Sequence, residues 1–130
     1  MAGTPRTSTS RSVGRAPDPD VLADAAEVFQ LLGTPGRLHL LWLLATDEVD
    51  VTTLARAVGG TKAAISQHLT KLRLAGWVDA RRDGRRVLYR ATDPHILTLV
   101  QQAVEHVRDQ RAAHQTSRRR QPPKIPMGTA

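Results

Sequence analysis

The sequence predicts a mainly α-helical domain with a small β-hairpin, arranged as a winged helix-turn-helix. Three observations carry that prediction. Residues 52–58 have short-helix spacing, with Leu54, Ala55 and Val58 on one side. Gly59-Gly60 then turns the chain into a longer helix over 61–77. Directly afterwards, the runs 77–82 and 85–90 favour strands and flank Asp83-Gly84, a two-residue hairpin turn.

The other elements follow from spacing and caps. Asp20 is placed to cap a first helix carrying Val21, Leu22, Ala25, Val28, Phe29 and Leu32, which Gly33 stops. Thr34-Pro35 starts a second helix, with proline where its missing N–H costs nothing. Residues 38–44 are apolar nearly all round, so this helix is expected to be buried and central, with His39 a core or boundary residue. Thr92 or Asp93 caps a last helix that has Pro94 in its first turn. Its core stripe is Ile96, Leu99, Val100, Ala103 and Val107, and fraying is expected after Arg111. The expected domain is therefore 20–111. Residues 1–19, with Arg6, Arg11 and Arg15, are expected to be a disordered basic arm. Residues 112–130, with Arg118, Arg119 and Arg120, are expected to be a disordered basic tail.

Composition narrows the function. The chain has 130 residues, a net charge of +7 and no cysteine. The basic balance favours nucleic acid or another anionic partner. Without thiols there is no disulfide framework, thiolate metal site or thiol redox sensor. No apolar run reaches membrane-spanning length, and the N-terminus lacks a signal-peptide core, so a cytoplasmic location is expected. No nucleophile–base pair, glycine-rich phosphate loop or catalytic carboxylate pair stands out, so the chain is not expected to be an enzyme.

The helix over 61–77 supplies the first candidate site. Ile65, Leu69 and Leu72 share one stripe, with Ala64 and His68 at its edge. The opposite face carries Ala63, Ser66, Gln67, Thr70 and Lys71 and no acid. Small residues allow close approach to a DNA major groove, Ser66, Gln67 and Thr70 suit base edges, and Lys62 and Lys71 suit phosphate. His68, at the core edge, is expected to be structural. Arg81, Arg82, Arg85 and Arg86 crowd the hairpin tip and would repel one another unless they met anions, which suits a wing on the DNA backbone or in a minor groove.

The last helix supplies the second. His95, His106 and Asp109 lie within roughly 60° of one another on the helix wheel, beside the core stripe. Eleven residues separate His95 from His106, about 16 Å along the axis, so one chain cannot bring both to one ion. Two antiparallel copies can: Asp93 and His95 of one chain then meet His106 and Asp109 of its partner. Two-fold symmetry makes two such sites. Each offers two imidazoles and two carboxylates, a set suited to tetrahedral Zn(II), with Co(II) or Ni(II) sharing the ligand preference.

Over 20–111 the chain resembles the ArsR/SmtB family of metal-sensing winged-helix repressors. The resemblance rests on ISQHLTKLRLAGWV, the RRDGRRVLYR hairpin and the DPH segment. It implies a homodimer, held through the N- and C-terminal helices, that represses metal-handling genes and loses operator affinity when metal binds. In zinc- and cobalt-type members the dimer-helix site reads Asp-x-His, ten residues, then His-x-x-Glu or His-x-x-His. Asp93, His95 and His106 match in type and spacing. Asp109 matches in spacing with a shorter carboxylate, so Glu105, His114 or water stay open as the fourth ligand. The family's cysteine site is absent, since residues 50–54 read Asp-Val-Thr-Thr-Leu. The alternative is a regulator of the same fold with no metal site, controlled by another signal.

Overall fold

The structure is a computed structural model that describes residues 15–120. The arm and tail residues 1–14 and 121–130, including Arg6 and Arg11, lie outside the described residues. The chain divides into two compact units, one ending at Thr34 and the other beginning at Pro35.

The first unit carries helix α1, Pro19–Leu32. Asp18 holds the cap position without a side-chain cap bond, so Asp20 is not the cap; it lies in the first turn. Pro19 is the reason, because its fixed φ is already helical and draws the start two residues earlier. The Gly33 N–H bonds to the Gln30 carbonyl and closes the helix. Val21, Leu22 and Phe29 are 55%, 52% and 60% exposed.

The second unit runs α2 (Pro35–Leu44), β1 (Val49–Asp50), α3 (Val51–Val58), α4 (Lys62–Leu74), β2 (Val78–Asp83), β3 (Arg86–Ala91) and α5 (Pro94–Arg120). As its apolar run demands, α2 is central, burying Leu40, Leu41 and Leu44. Around it lie Leu54 of α3, Ile65, Leu69 and Leu72 of α4, Val78 and Leu88 of the sheet, and Ile96 and Val100 of α5. Full burial of a Leu or Ile side chain stabilises by about 1.5–3 kcal/mol, so this aliphatic cluster holds the helices together. His39 is exposed rather than core or boundary, because the buried stripe passes through Arg37, Leu41 and Leu44 instead.

The sheet is antiparallel in the order β1-β3-β2. The two-residue β1, not expected from the sequence, pairs Val49 with Tyr89 and Asp50 with Leu88. It is too short to show alternation. Asp83 pairs with Arg86, so the central turn residues are Gly84 and Arg85, one place later than expected. Gly84 has φ +66° and no described non-glycine residue has positive φ. That pattern is the type II′ hairpin, which needs glycine only at its first central position.

Helix α5 runs 27 residues to Arg120, well past the expected fraying at Arg111. Val104 is half-buried, and every residue from Glu105 to Arg120 is exposed. Leu99 and Val107 of the expected core stripe are 36% and 44% exposed, and Ala103 is exposed too. Only Ile96 and Val100 of that stripe are buried within the chain. No helix of the described residues is long and apolar enough to cross a membrane.

Candidate nucleic-acid interface and metal-ligand helix

Local chemistry fixes both ends of α4. Gly59 and Gly60 have φ +88° and +97°, which only glycine adopts freely, and they turn α3 into α4. The Thr61 hydroxyl then accepts the Ala64 N–H at 3.1 Å and caps the helix. At the far end Ala75 is the C-cap and Gly76, φ +80°, follows it. The Trp77 N–H reaches the Leu72 carbonyl and the Gly76 N–H the Arg73 carbonyl, a Schellman closure that sends the chain into β2.

Between these ends the two faces of α4 separate cleanly. Ile65, Leu69 and Leu72 are buried. Lys62, Ala63, Ser66, Gln67, Thr70 and Lys71 are all exposed, and α4 contains no acid. Thr70 donates its hydroxyl proton to the Ser66 carbonyl at 2.9 Å. Towards a ligand it is left as an acceptor or a methyl contact. Gln67 and Ser66 keep their donors. His68 is half-buried on the inner edge, beside Arg37 of α2.

The four hairpin arginines are not equivalent. Arg81 donates from Nε and Nη2 to both carboxylate oxygens of Glu48, at 2.7 and 2.8 Å. Arg86 lies 3.6 Å from Asp50. Arg82 and Arg85 are exposed and make no ion pair among the described residues. Mutual repulsion at the tip is thus relieved partly inside the protein, and the cations open to phosphate are chiefly Arg82 and Arg85. Glu48 and Asp50 were not expected to matter; two acids at i and i+2 just before a helix were the available signal. Hydrogen bonding from Arg81 holds the Glu48 carboxyl below its ordinary range. The Thr53 hydrogen bond does the same for Asp50, whose carboxylate also caps α3 through the Thr53 N–H at 3.0 Å.

On α5, Asp93 is the cap, accepting the His95 and Ile96 N–H groups on Oδ1 at 2.9 and 3.3 Å. His95 is 95% exposed, with Nδ1 3.7 Å from that same oxygen. His106, Asp109, Glu105 and His114 are exposed along the later turns. Among the described residues no three metal-ligating side chains of one chain cluster together. Asp93 and His95 are side by side, while His106 and Asp109 lie about 16 Å further along the helix. The donor set fits a divalent ion of borderline character: two imidazoles, the Asp93 Oδ2 left open by the cap, and the Asp109 carboxylate. The Arg108 guanidinium, 5.3 Å from the centroid of the Trp42 ring, ties α5 to α2 between these residues.

Comparison with known proteins agrees with this architecture. Residues 34–80 match the family described as bacterial regulatory protein, arsR family. The chain is 43% identical over 91 residues to the HTH-type transcriptional regulator KmtR of Mycobacterium tuberculosis, covering 68% of this chain and 70% of KmtR. Among solved structures it is similar to the AntR antimony-specific transcriptional repressor, with TM-score 0.69 and 27% identity over 78% of this chain and 94% of AntR. It is also similar to the homodimeric winged helix-turn-helix DNA-binding domain of Mb0332 from Mycobacterium bovis. There the TM-score is 0.61 and the identity 33%, over 78% of this chain and 94% of that domain. A reading helix between a glycine turn and a hairpin wing, with this relatedness, places the function in DNA binding and not in catalysis: the chain belongs to the ArsR/SmtB family of winged helix-turn-helix transcriptional regulators.

Proposed function

We propose that this regulator is a homodimeric repressor that leaves its operator when Zn(II), Co(II) or Ni(II) binds between the two copies of α5. The observation that carries the proposal is the spacing of Asp93, at the cap, and exposed His95 from exposed His106 and Asp109 along one continuous helix. Such a helix presents two half-sites that an antiparallel second copy completes twice. Leu99 and Val107, exposed in the single chain, lie on the same helix, and a second copy would cover them. The exposed Val21, Leu22 and Phe29 of α1 are assigned to the dimer contact in the same way. The solved Mb0332 domain is described as homodimeric, which supports that assembly.

On DNA, the two α4 helices enter successive major grooves, about 34–36 Å apart, so the operator is an imperfect palindrome. Ser66, Gln67 and Thr70 meet base edges. Ala63 permits close approach, while Lys62, Lys71, Arg82 and Arg85 hold phosphates; Arg81 and Arg86 take part only as far as Glu48 and Asp50 release them. Bound metal would supply a cross-link between Asp93 and His95 of one chain and His106 and Asp109 of the other. With two nitrogens and two oxygens as donors and no cysteine in the chain, that ion is not a thiophilic one, unlike the antimony named for AntR. The α5 pair then prefers one interhelical geometry, and a geometry that misplaces the α4 helices costs DNA affinity. A coupling of about 1–3 kcal/mol is typical, or roughly 5–150-fold in affinity. The test is a DNA-binding titration of the purified protein with Zn(II) and with chelator. Weaker binding in Zn(II) is expected, and equal affinity in both would contradict the sensor function.

A further inference from the structure

The buried surface of the reading helix holds a contact that the DNA-facing residues do not explain. Arg37 is 8% exposed, a charged residue inside the stripe of α2 that packs the core. Its Nη1 lies 3.3 Å from Nδ1 of His68 on α4. A guanidinium only donates, so Nδ1 is the acceptor and the imidazole is neutral, with its proton on Nε2. On the other side of the ring stands Gly36. A Cβ at position 36 would come 2.9 Å from His68 Nε2 and 3.2 Å from its Cδ2. The imidazole is therefore held between a donor and a glycine, both supplied by the first turn of α2.

From this we infer that Arg37 and Gly36 together form a positioning clamp for α4: they set its seat on α2 through neutral His68, and so set how the reading face meets DNA. None of the three touches DNA; their effect passes through the orientation of Ser66, Gln67 and Thr70. The clamp also gives metal-free DNA binding its own proton dependence. Burial first, then the charges of Arg37 and Lys71, hold the His68 imidazole below its ordinary value. The charged and titratable groups around it are Arg37 and His39 from α2 and Lys71 on α4 itself. The end of α3 and the turn after it contribute Val58 and Gly59 to the same hollow. The ring therefore charges only at a pH below the ordinary imidazole value of about 6.5; once charged, protonated Nδ1 cannot accept from Arg37, and three cations then crowd one place.

The inference rests on the DNA-binding function, which wild-type affinity itself tests; comparison among variants tests the clamp. All measurements use the full chain with chelator present, on a duplex selected by the wild-type protein from a random pool. His68→Ala and Gly36→Ala are each expected to weaken binding about tenfold, the order of a hydrogen bond to a charged donor. The double variant should be no weaker than either alone, because the alanine at 36 has no ring left to displace. His68→Asn, whose amide oxygen takes the place of Nδ1 without titrating, should bind like wild type near neutral pH. Relative to that variant, wild type should lose affinity progressively below about pH 6.5. Additive losses in the double variant, or an acid dependence shared by His68→Asn, would overturn the clamp. Circular dichroism of each variant reports folding separately, and Ala is the best helix former at both positions.

Discussion

Removing the hairpin arginines one at a time should divide them into two pairs. The Arg81 guanidinium already meets a carboxylate with two bonds, at 2.7 and 2.8 Å, and Arg86 has an acid at 3.6 Å. Arg82 and Arg85 have no such partner among the described residues. Each phosphate neutralised contributes about 0.9 to the slope of log affinity against log salt. Arg82→Ala and Arg85→Ala should therefore each flatten the slope by about 1.8 for a dimer, one contact per subunit. Exchanging Glu48 and Arg81 together for glutamine removes one charge of each sign, and the slope should stay where it was. Glu48→Gln alone releases Arg81 and should steepen it by up to about 1.8. The assay is fluorescence anisotropy on one duplex across a salt series from about 50 to 200 mM. A loss for the Glu48–Arg81 double variant equal to that for Arg82→Ala would refute the division.

The core and the caps make further predictions. Leu40 is fully buried, so Leu40→Ala should destabilise by about 2–5 kcal/mol in urea unfolding. Leu74, 84% exposed, should tolerate the same change within about 0.5 kcal/mol. Gly76→Ala forces φ +80° on a residue with a Cβ and should cost about 1–2 kcal/mol by the same measurement. Thr61→Ala removes the cap of α4 and should cost about 1 kcal/mol. Glu48 and Asp50 have folded-state pKa values below their ordinary ones. Their stabilisation is complete above the unfolded values, near 4, and is lost as pH falls through the lower folded ones. Thermal melts should show wild type losing stability below about pH 4, with a shallower loss in Glu48→Gln.

Most of the fold was legible because each element carries a local signal. The Gly59-Gly60 turn, the Thr61 cap and the alternation after Gly76 all act through nearest neighbours, and the structure keeps them. Contacts across the chain were harder to see. Arg37 stands just before the apolar run 38–44; its phase with Leu41 and Leu44 marks it as buried, but nothing local points to His68. Glu48 meets Arg81 across 33 positions, which no spacing rule reaches. The hairpin slipped by one residue because Asp-Gly suits a type I′ turn, while strand pairing selected Gly84-Arg85. The length of α5 was underestimated for a different reason. Apolar periodicity ends at Val107, yet the following residues, Ala, Gln and Arg among them, are good helix formers and extend it to Arg120. The metal-ligand pattern was legible in spacing, but a site shared between chains has no signature in any one chain.

The interchain site has a direct test by complementation. His95→Ala and His106→Ala homodimers should each lose tight Zn(II) binding. Mixed and reassociated, they form heterodimers in which one half-site pair keeps His95 from one chain and His106 from the other, while the second pair lacks both. The shared, antiparallel arrangement predicts that titration recovers one tight Zn(II) per heterodimer. Heterodimers that bind no more Zn(II) than either parent would contradict it.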